Sequence, residues 1–270
     1  VPLLLEKKGS PPKLSPVNRA SAFPKFPLPV RVLIIATTLG VALWGTLTII
    51  DAAGDGRLQK FERSLMLNLR QPDNPAEPRG PHWLEQTAID WTSLGGIPIL
   101  SLLIVLSISY LLLVRRPRAA AFVLGATSGG IALSFYLKTV ANRARPDFLE
   151  HLANVATSSF PSAHAMASAI VYLTLGTLLA RSAQSRREKR FFLWTAYFLT
   201  LAVGLTRVYL GVHYPTDVIA GWVVGILWAM ICLTVMVRLE KRRALRSVGK
   251  NERSTEPNTR SEVNAHHPIH

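Results

Sequence analysis

Long uncharged apolar runs alternate with short segments that hold most of the charge, and this alternation decides the architecture. Residues 28–50 carry only Arg31, and residues 91–114 carry no charged side chain. About 20 apolar residues in a helix cross the hydrocarbon core of a bilayer, so both runs are long enough to span it. The runs at 119–137, 162–180 and 218–237 are close to that length. The run at 191–206 reaches it when extended slightly at both ends. The pattern predicts an all-α fold: a polytopic membrane bundle of six transmembrane helices.

The flanks read differently. Residues 1–27 are rich in Pro, Lys and Ser and show no periodicity, which predicts a disordered cytoplasmic tail. The membrane domain covers 28–238, and 239–270 reads as a second disordered tail, basic and cytoplasmic. Its His266, His267 and His270 are a compositional cluster rather than a metal site. The first apolar run is long, so it reads as an anchor and not as a cleaved signal. In the long loop at 51–90, Leu58, Phe61, Leu65 and Leu69 recur at helical spacing beside Arg57, Lys60 and Arg63. Such a helix either lies on the outer leaflet or packs on the bundle.

Charge adds orientation. The chain is 49% hydrophobic and only 17% charged, yet its net charge is +15. Few charges with so strong a bias fit cations gathered at one membrane surface and argue against a nucleic-acid partner. With both termini on one side, that side holds 22 of the 31 Lys and Arg residues and the other holds 9. The excess predicts cytoplasmic termini, as in a bacterial inner membrane. The lone Cys232 excludes an intramolecular disulfide and reads as a packing residue.

The outer side then holds the segments that carry chemistry. Lys138, Arg143 and Arg145 interrupt the apolar pattern within eight residues. Pro161-Ser162-Ala163-His164 follows, and farther on come Thr206-Arg207, His213 and Asp217. A single cation at a span end is ordinarily a snorkelling anchor. Here three segments contribute complementary parts. Lys138, Arg145 and Arg207 offer positive charge to the oxygens of an anion. The Ser162 hydroxyl and the Ala163 backbone stand where a helix begins, a place suited to anions. Asp217, four residues past His213, is placed to accept the second imidazole proton and fix its tautomer.

Written as Lys138-x6-Arg145-Pro146, Pro161-Ser162-Ala163-His164 and Thr206-Arg207-x5-His213-x3-Asp217, the pattern resembles the type 2 phosphatidic acid phosphatase (PAP2) superfamily over about residues 91–238. The resemblance implies a phosphatase with His213 as nucleophile, oriented by Asp217, and His164 as general acid. Lys138, Arg145, Ser162, Ala163 and Arg207 would bind the phosphoryl group. Ala163 stands where the family usually has Gly, and Thr206 where it has Ser; neither change removes a catalytic group. No carboxylate cluster suits Mg²⁺, so no metal or cofactor is expected and cations take the metal's place. The expected partners are the bilayer and a lipid phosphate or pyrophosphate: undecaprenyl pyrophosphate, phosphatidylglycerol phosphate, phosphatidate or a lipid A phosphate. Two alternatives are a vanadium haloperoxidase-like enzyme, whose known members are soluble, and a non-catalytic lipid-headgroup-binding or transport protein. The latter has no need of the His213–Asp217 pair.

Overall fold

Among the described residues, helices cover the apolar runs from 91 onward, with boundaries set by local chemistry. The computed structural model describes Gly45 and residues 57–141, 143–146 and 158–255, with side chains omitted at 57, 58, 244 and 247–255. These residues lie in one unit, Leu39–His270. The expected tail at 1–27, nearly all of the first span and the tail histidines lie outside the described residues. The helices are α1 (Arg57–Leu67), α2 (His82–Ser93), α3 (Ile97–Leu113), α4 (Pro117–Ala141), α5 (Ala163–Ser182), α6 (Arg186–Tyr209) and α7 (Pro215–Thr255). Among the described residues there is no strand, only an isolated bridge between Arg70 and Pro78.

Four of these helices are long and apolar enough to cross a membrane, or five when α2 and α3 count as one span bent by 42°. The uninterrupted helix expected over 91–114 is therefore two. Gly95-Gly96 weaken the helix, and Pro98, in the first turn of α3, lacks the N–H that continuation would need. The bend also places Leu94 so that its carbonyl accepts from the Tyr172 hydroxyl at 2.7 Å.

α5 is the axis of the bundle. Ala165, Met166, Ala169, Ile170 and Val171 are all buried, and α6, α7, α4 and α3 pack around them. Lipid tails are as apolar as leucine, so close packing and interhelical hydrogen bonds hold such a bundle together. Trp228 Nε1 donates to Ala126 O at 2.7 Å, and Trp222 Nε1 donates to Thr200 O at 3.1 Å. Each is worth about 0.6 kcal/mol by the average of such bonds. The outward faces are apolar: Leu102, Val105 and Leu106 on α3, Phe135 on α4 and Phe198 on α6 are exposed. A water-facing bundle would not present such faces on every outer helix, and the protein is a membrane protein.

Two expectations change. The last helix does not end near 238 but continues to Thr255. Leu239, Glu240, Lys241 and Leu245 are good helix formers, and Glu240 meets Arg181 of α5 at 2.6 Å. The disordered segment expected from 239 is thus helical over its first part. In α1 the buried residues are Glu62 and Met66, each 1% exposed, whereas Phe61 is 65% and Leu65 41% exposed. The helix rests on the bundle by a partly polar face and turns Phe61 and Leu65 outward.

Candidate active site

Helix ends build the site. Lys138 lies in the last turn of α4, and its Nζ donates to Ser158 O at 2.6 Å. Past it, Arg143 and Arg145 lie outside regular secondary structure, and Ser159 N donates to Arg143 O at 2.8 Å. Ser162 is the N-cap of α5; its N–H is donated to Asp217 O at 3.0 Å. Ala163 and His164 form the first turn, where backbone N–H groups have no partner within the helix. His164 stands within Coulombic reach of Arg207, His213, Lys138 and Arg145.

α6 ends in a Schellman motif, which explains the spacing between Arg207 and His213. Gly211 N donates to Val208 O and Val212 N to Arg207 O, the two bonds of that motif. Gly211 sits at φ +76°, in the left-handed region that glycine adopts without strain. The chain reverses there, and His213 returns to the end of the helix that carries Arg207. α7 then packs closely against the start of α5. A Cβ on Gly221 would lie 2.7 Å from Ser162 O, so only glycine permits this approach.

His213 is 2% exposed, and its two ring nitrogens face different partners. Nδ1 lies 3.5 Å from Asp217 Oδ2 and 3.5 Å from Ser159 Oγ. Nε2 lies 3.4 Å from Arg145 Nη1, which also donates to Val212 O at 2.8 Å. Asp217 is fully buried. Its Oδ2 accepts from Tyr214 N at 3.0 Å and from Ser159 Oγ, and its Oδ1 accepts from Arg143 Nη1 at 2.7 Å. Arg207 Nη1 donates to Thr92 Oγ1 at 3.2 Å. Arg207 Nε and Ser162 Oγ are buried and have no hydrogen-bond partner.

Burial shapes the electrostatics. Desolvation pushes the His213 imidazole down to about 4; Asp217 opposes this, while Arg207 and Arg145 add to it. The ring is therefore neutral near pH 7, with a lone pair on one nitrogen. Burial also lowers Arg145, only partly offset by Asp217. Burial acts the same way on Arg143, but Asp217 and Glu62 outweigh it and hold this guanidinium above its ordinary value.

The predicted set thus gathers at one end of the bundle. Arg145, His213, Asp217 and Ser162 are linked by the contacts above, Ala163 opens α5 beside them, and Lys138, His164 and Arg207 surround the same space. Three contributors were not anticipated. Ser159, bound to Asp217 and beside His213, stands two residues before Pro161. Arg143 was visible as a cation, but its orientation toward Asp217 and not the anion was not. Glu62 carried no signal, because a lone acid in an amphipathic segment reads as surface. Among the described residues no three His, Cys, Asp or Glu side chains group as metal ligands.

Known proteins resemble this chain in sequence and fold. Residues 118–241 match the PAP2 superfamily. The chain is 33% identical over 147 residues to phosphatidylglycerophosphatase B of Bacillus subtilis, covering 54% of this chain and 71% of that protein. It is 30% identical over 117 residues to a lipid A 1-phosphatase of Rhizobium johnstonii, covering 39% of this chain and 43% of that one. The crystal structure of a transmembrane PAP2-type phosphatidylglycerolphosphate phosphatase from Bacillus subtilis superposes with a TM-score of 0.64. Its sequence is 26% identical, and the match covers 73% of this chain and 95% of that one. An all-helical membrane bundle with a cationic histidine site at one end is the architecture of a membrane phosphatase. The chain belongs to the PAP2 superfamily.

Proposed function

We propose that the protein hydrolyses a lipid phosphate or pyrophosphate through a phosphohistidine on His213. The observation that carries this reading is the division of the ring: Nδ1 faces Asp217, and Nε2 faces the cation Arg145. A neutral His213 held in this way keeps the lone pair on Nε2. Lys138, Arg145 and Arg207, with Ser162 Oγ and the Ala163 N–H, hold the non-bridging oxygens. These donors stabilise the charge spread over the transferring group, the main task of phosphoryl transfer.

In the first step Nε2 forms a bond to phosphorus, and the bond from phosphorus to the lipid oxygen breaks. His164 gives its proton to that oxygen. In the second, water attacks the phosphohistidine and His164 takes the water's proton. Phosphate leaves and His213 is restored. No divalent metal takes part, since the cations already supply the positive charge.

The lipid tail supplies the handle. An open apolar groove of about 270 Å³ runs between α2 and α6, lined by Leu84, Ala88, Trp91, Ala202, Leu205 and Tyr209 among others. Two of its lining residues, Trp91 and Thr206, neighbour Thr92 and Arg207 in sequence. Phosphatidylglycerol phosphate is the first substrate to try, because the relative most fully spanned by this chain is named for it. The Lys and Arg distribution supports cytoplasmic termini and a site on the outer, periplasmic face of a bacterial inner membrane.

The test is phosphate release by purified protein from phosphatidylglycerol phosphate, phosphatidate, undecaprenyl pyrophosphate and lipid A, with and without EDTA. Release from at least one in EDTA is expected. Release from none of the four, with or without Mg²⁺, would overturn the reading.

A further inference from the structure

We infer that Glu62, on the outer helix α1, is a positioning residue for the His213 nucleophile, acting through Arg143 and Asp217. It rests on the phosphohistidine reading above and extends it to a residue far outside the 118–241 stretch that defines the family.

A carboxylate that is 1% exposed needs full pairing to offset the several kcal/mol of desolvation that burial costs it. Glu62 has that pairing, and all of it leads to the catalytic carboxylate. Its Oε1 accepts from Thr216 N at 3.0 Å and from Thr216 Oγ1. Its Oε2 meets Arg143 Nη2 at 2.7 Å. The other end of the same guanidinium, Nη1, meets Asp217 Oδ1 at 2.7 Å and Thr216 Oγ1 at 2.9 Å. Tyr214 lies beneath the guanidinium, its ring centre 4.2 Å from Cζ. Arg143 thus bridges two carboxylates. It occupies Oδ1 of Asp217 and leaves Oδ2 to face Ser159 and His213.

The arrangement also sets charge. Glu62, Arg143 and Asp217 together carry one net negative charge. As Nε2 bonds to phosphorus the imidazole becomes cationic, and that net charge stabilises it. Neutralising Glu62 leaves Arg143 and Asp217 to cancel one another. Among the described residues, the other groups around His213 are Lys138 at the end of α4, Arg145 beside Arg143, His164 on α5 and Arg207 on α6, and none of these is an anion that could replace Glu62.

The experiment compares Glu62→Gln with wild type on p-nitrophenyl phosphate and phosphatidylglycerol phosphate. The expected result is a fall in kcat of about ten- to a hundredfold, the scale of one unit charge acting across a buried site, with KM within about twofold. The acid limb of kcat/KM should move to lower pH, because the imidazolium loses a nearby anion. A helix that merely loosened would admit water and move that limb upward. Glu62→Asp should return the limb to its wild-type position. If Glu62→Gln does not accumulate folded, Arg143→Lys takes over the test. An ammonium cannot fork between two carboxylates, so kcat should fall while the protein stays folded. Unchanged kcat in either folded variant, a rise confined to KM, or an upward shift of the acid limb would overturn the inference. Wild type and His213→Ala run in parallel decide the phosphohistidine reading separately.

Discussion

Arg207 Nη1 donates to Thr92 Oγ1 over 3.2 Å, so the last turn of α2 orients the guanidinium that the proposed mechanism assigns to the phosphate. The remaining Arg207 Nε is buried without a partner, a costly state for a polar group unless an anion meets it. Thr92→Val removes the support and leaves the cation. The expected outcome is a KM raised about two- to tenfold, the scale of one hydrogen bond, with kcat nearly unchanged. Steady-state kinetics on a single lipid phosphate checks this, and a large loss of kcat with constant KM would contradict it.

Replacing Gly221 by alanine places a methyl 2.7 Å from Ser162 O. The obstacle is backbone, which cannot swing aside as a side chain can. Overpacking of this kind costs about 1–3 kcal/mol, and here it also parts the N-terminus of α5 from the start of α7. Lower thermal stability in detergent and lower activity should appear together. A variant that matched wild type in both would show that the two helices slide freely.

The two histidines should separate by leaving group. If His213 is the nucleophile as proposed, His213→Ala should bring turnover to background on every substrate. His164→Ala removes a proton donor worth ~10²–10⁴-fold, so hydrolysis of an alkyl phosphate should nearly stop. With p-nitrophenyl phosphate, whose leaving group needs little protonation, the same variant should keep far more activity and still become phosphorylated. Equal losses on both substrates, with neither variant phosphorylated, would refute the assignment.

The pH profile follows from burial of His213. Its imidazole titrates near 4 in the folded protein, below the ordinary 6.5 or so. The neutral nucleophile therefore persists as pH falls through 6.5 and is lost only as pH falls through about 4. After correction for the substrate's own ionisation near about 6, the acid limb of kcat/KM should lie near pH 4 rather than near 6.5. An acid limb centred on 6.5 would mean that water reaches the ring.

Topology is open to direct labelling. A single cysteine at Arg246, in a background with Cys232 replaced, should resist an impermeant thiol reagent applied from outside and react when the membrane is opened. Labelling from outside would move the site to the cytoplasm.

Much of this was legible in the sequence because two signals are local. Uninterrupted apolar length marked the helices, and the spacing of Lys138, Arg145, His164, Arg207, His213 and Asp217 reports helix ends that converge at one end of the bundle. What escaped is set by contacts between distant segments. Glu62 meets Thr216 and Arg143 only after α1 folds back over the start of α7, and hydropathy alone assigns such an acid to the surface. Thr92 gained its role from a break that Gly95, Gly96 and Pro98 announce; the smooth apolar run around them hid it. α7 outlasted its apolar stretch because helix propensity and the pair between Arg181 and Glu240 continue where lipid ends.

The hydrogen bond from Ser162 N to Asp217 O joins main chain to main chain, and its effect reaches beyond holding two helices together. The start of α5, where the proposed mechanism holds the anion, and the start of α7, which carries Asp217, share one main-chain reference independent of any side-chain rotamer. Substitutions along the lipid-facing surfaces can then exchange one hydrophobic tail for another without retuning the distance between phosphorus and its attacker. Substrate preference and bond-breaking geometry become separately adjustable parts of one small bundle.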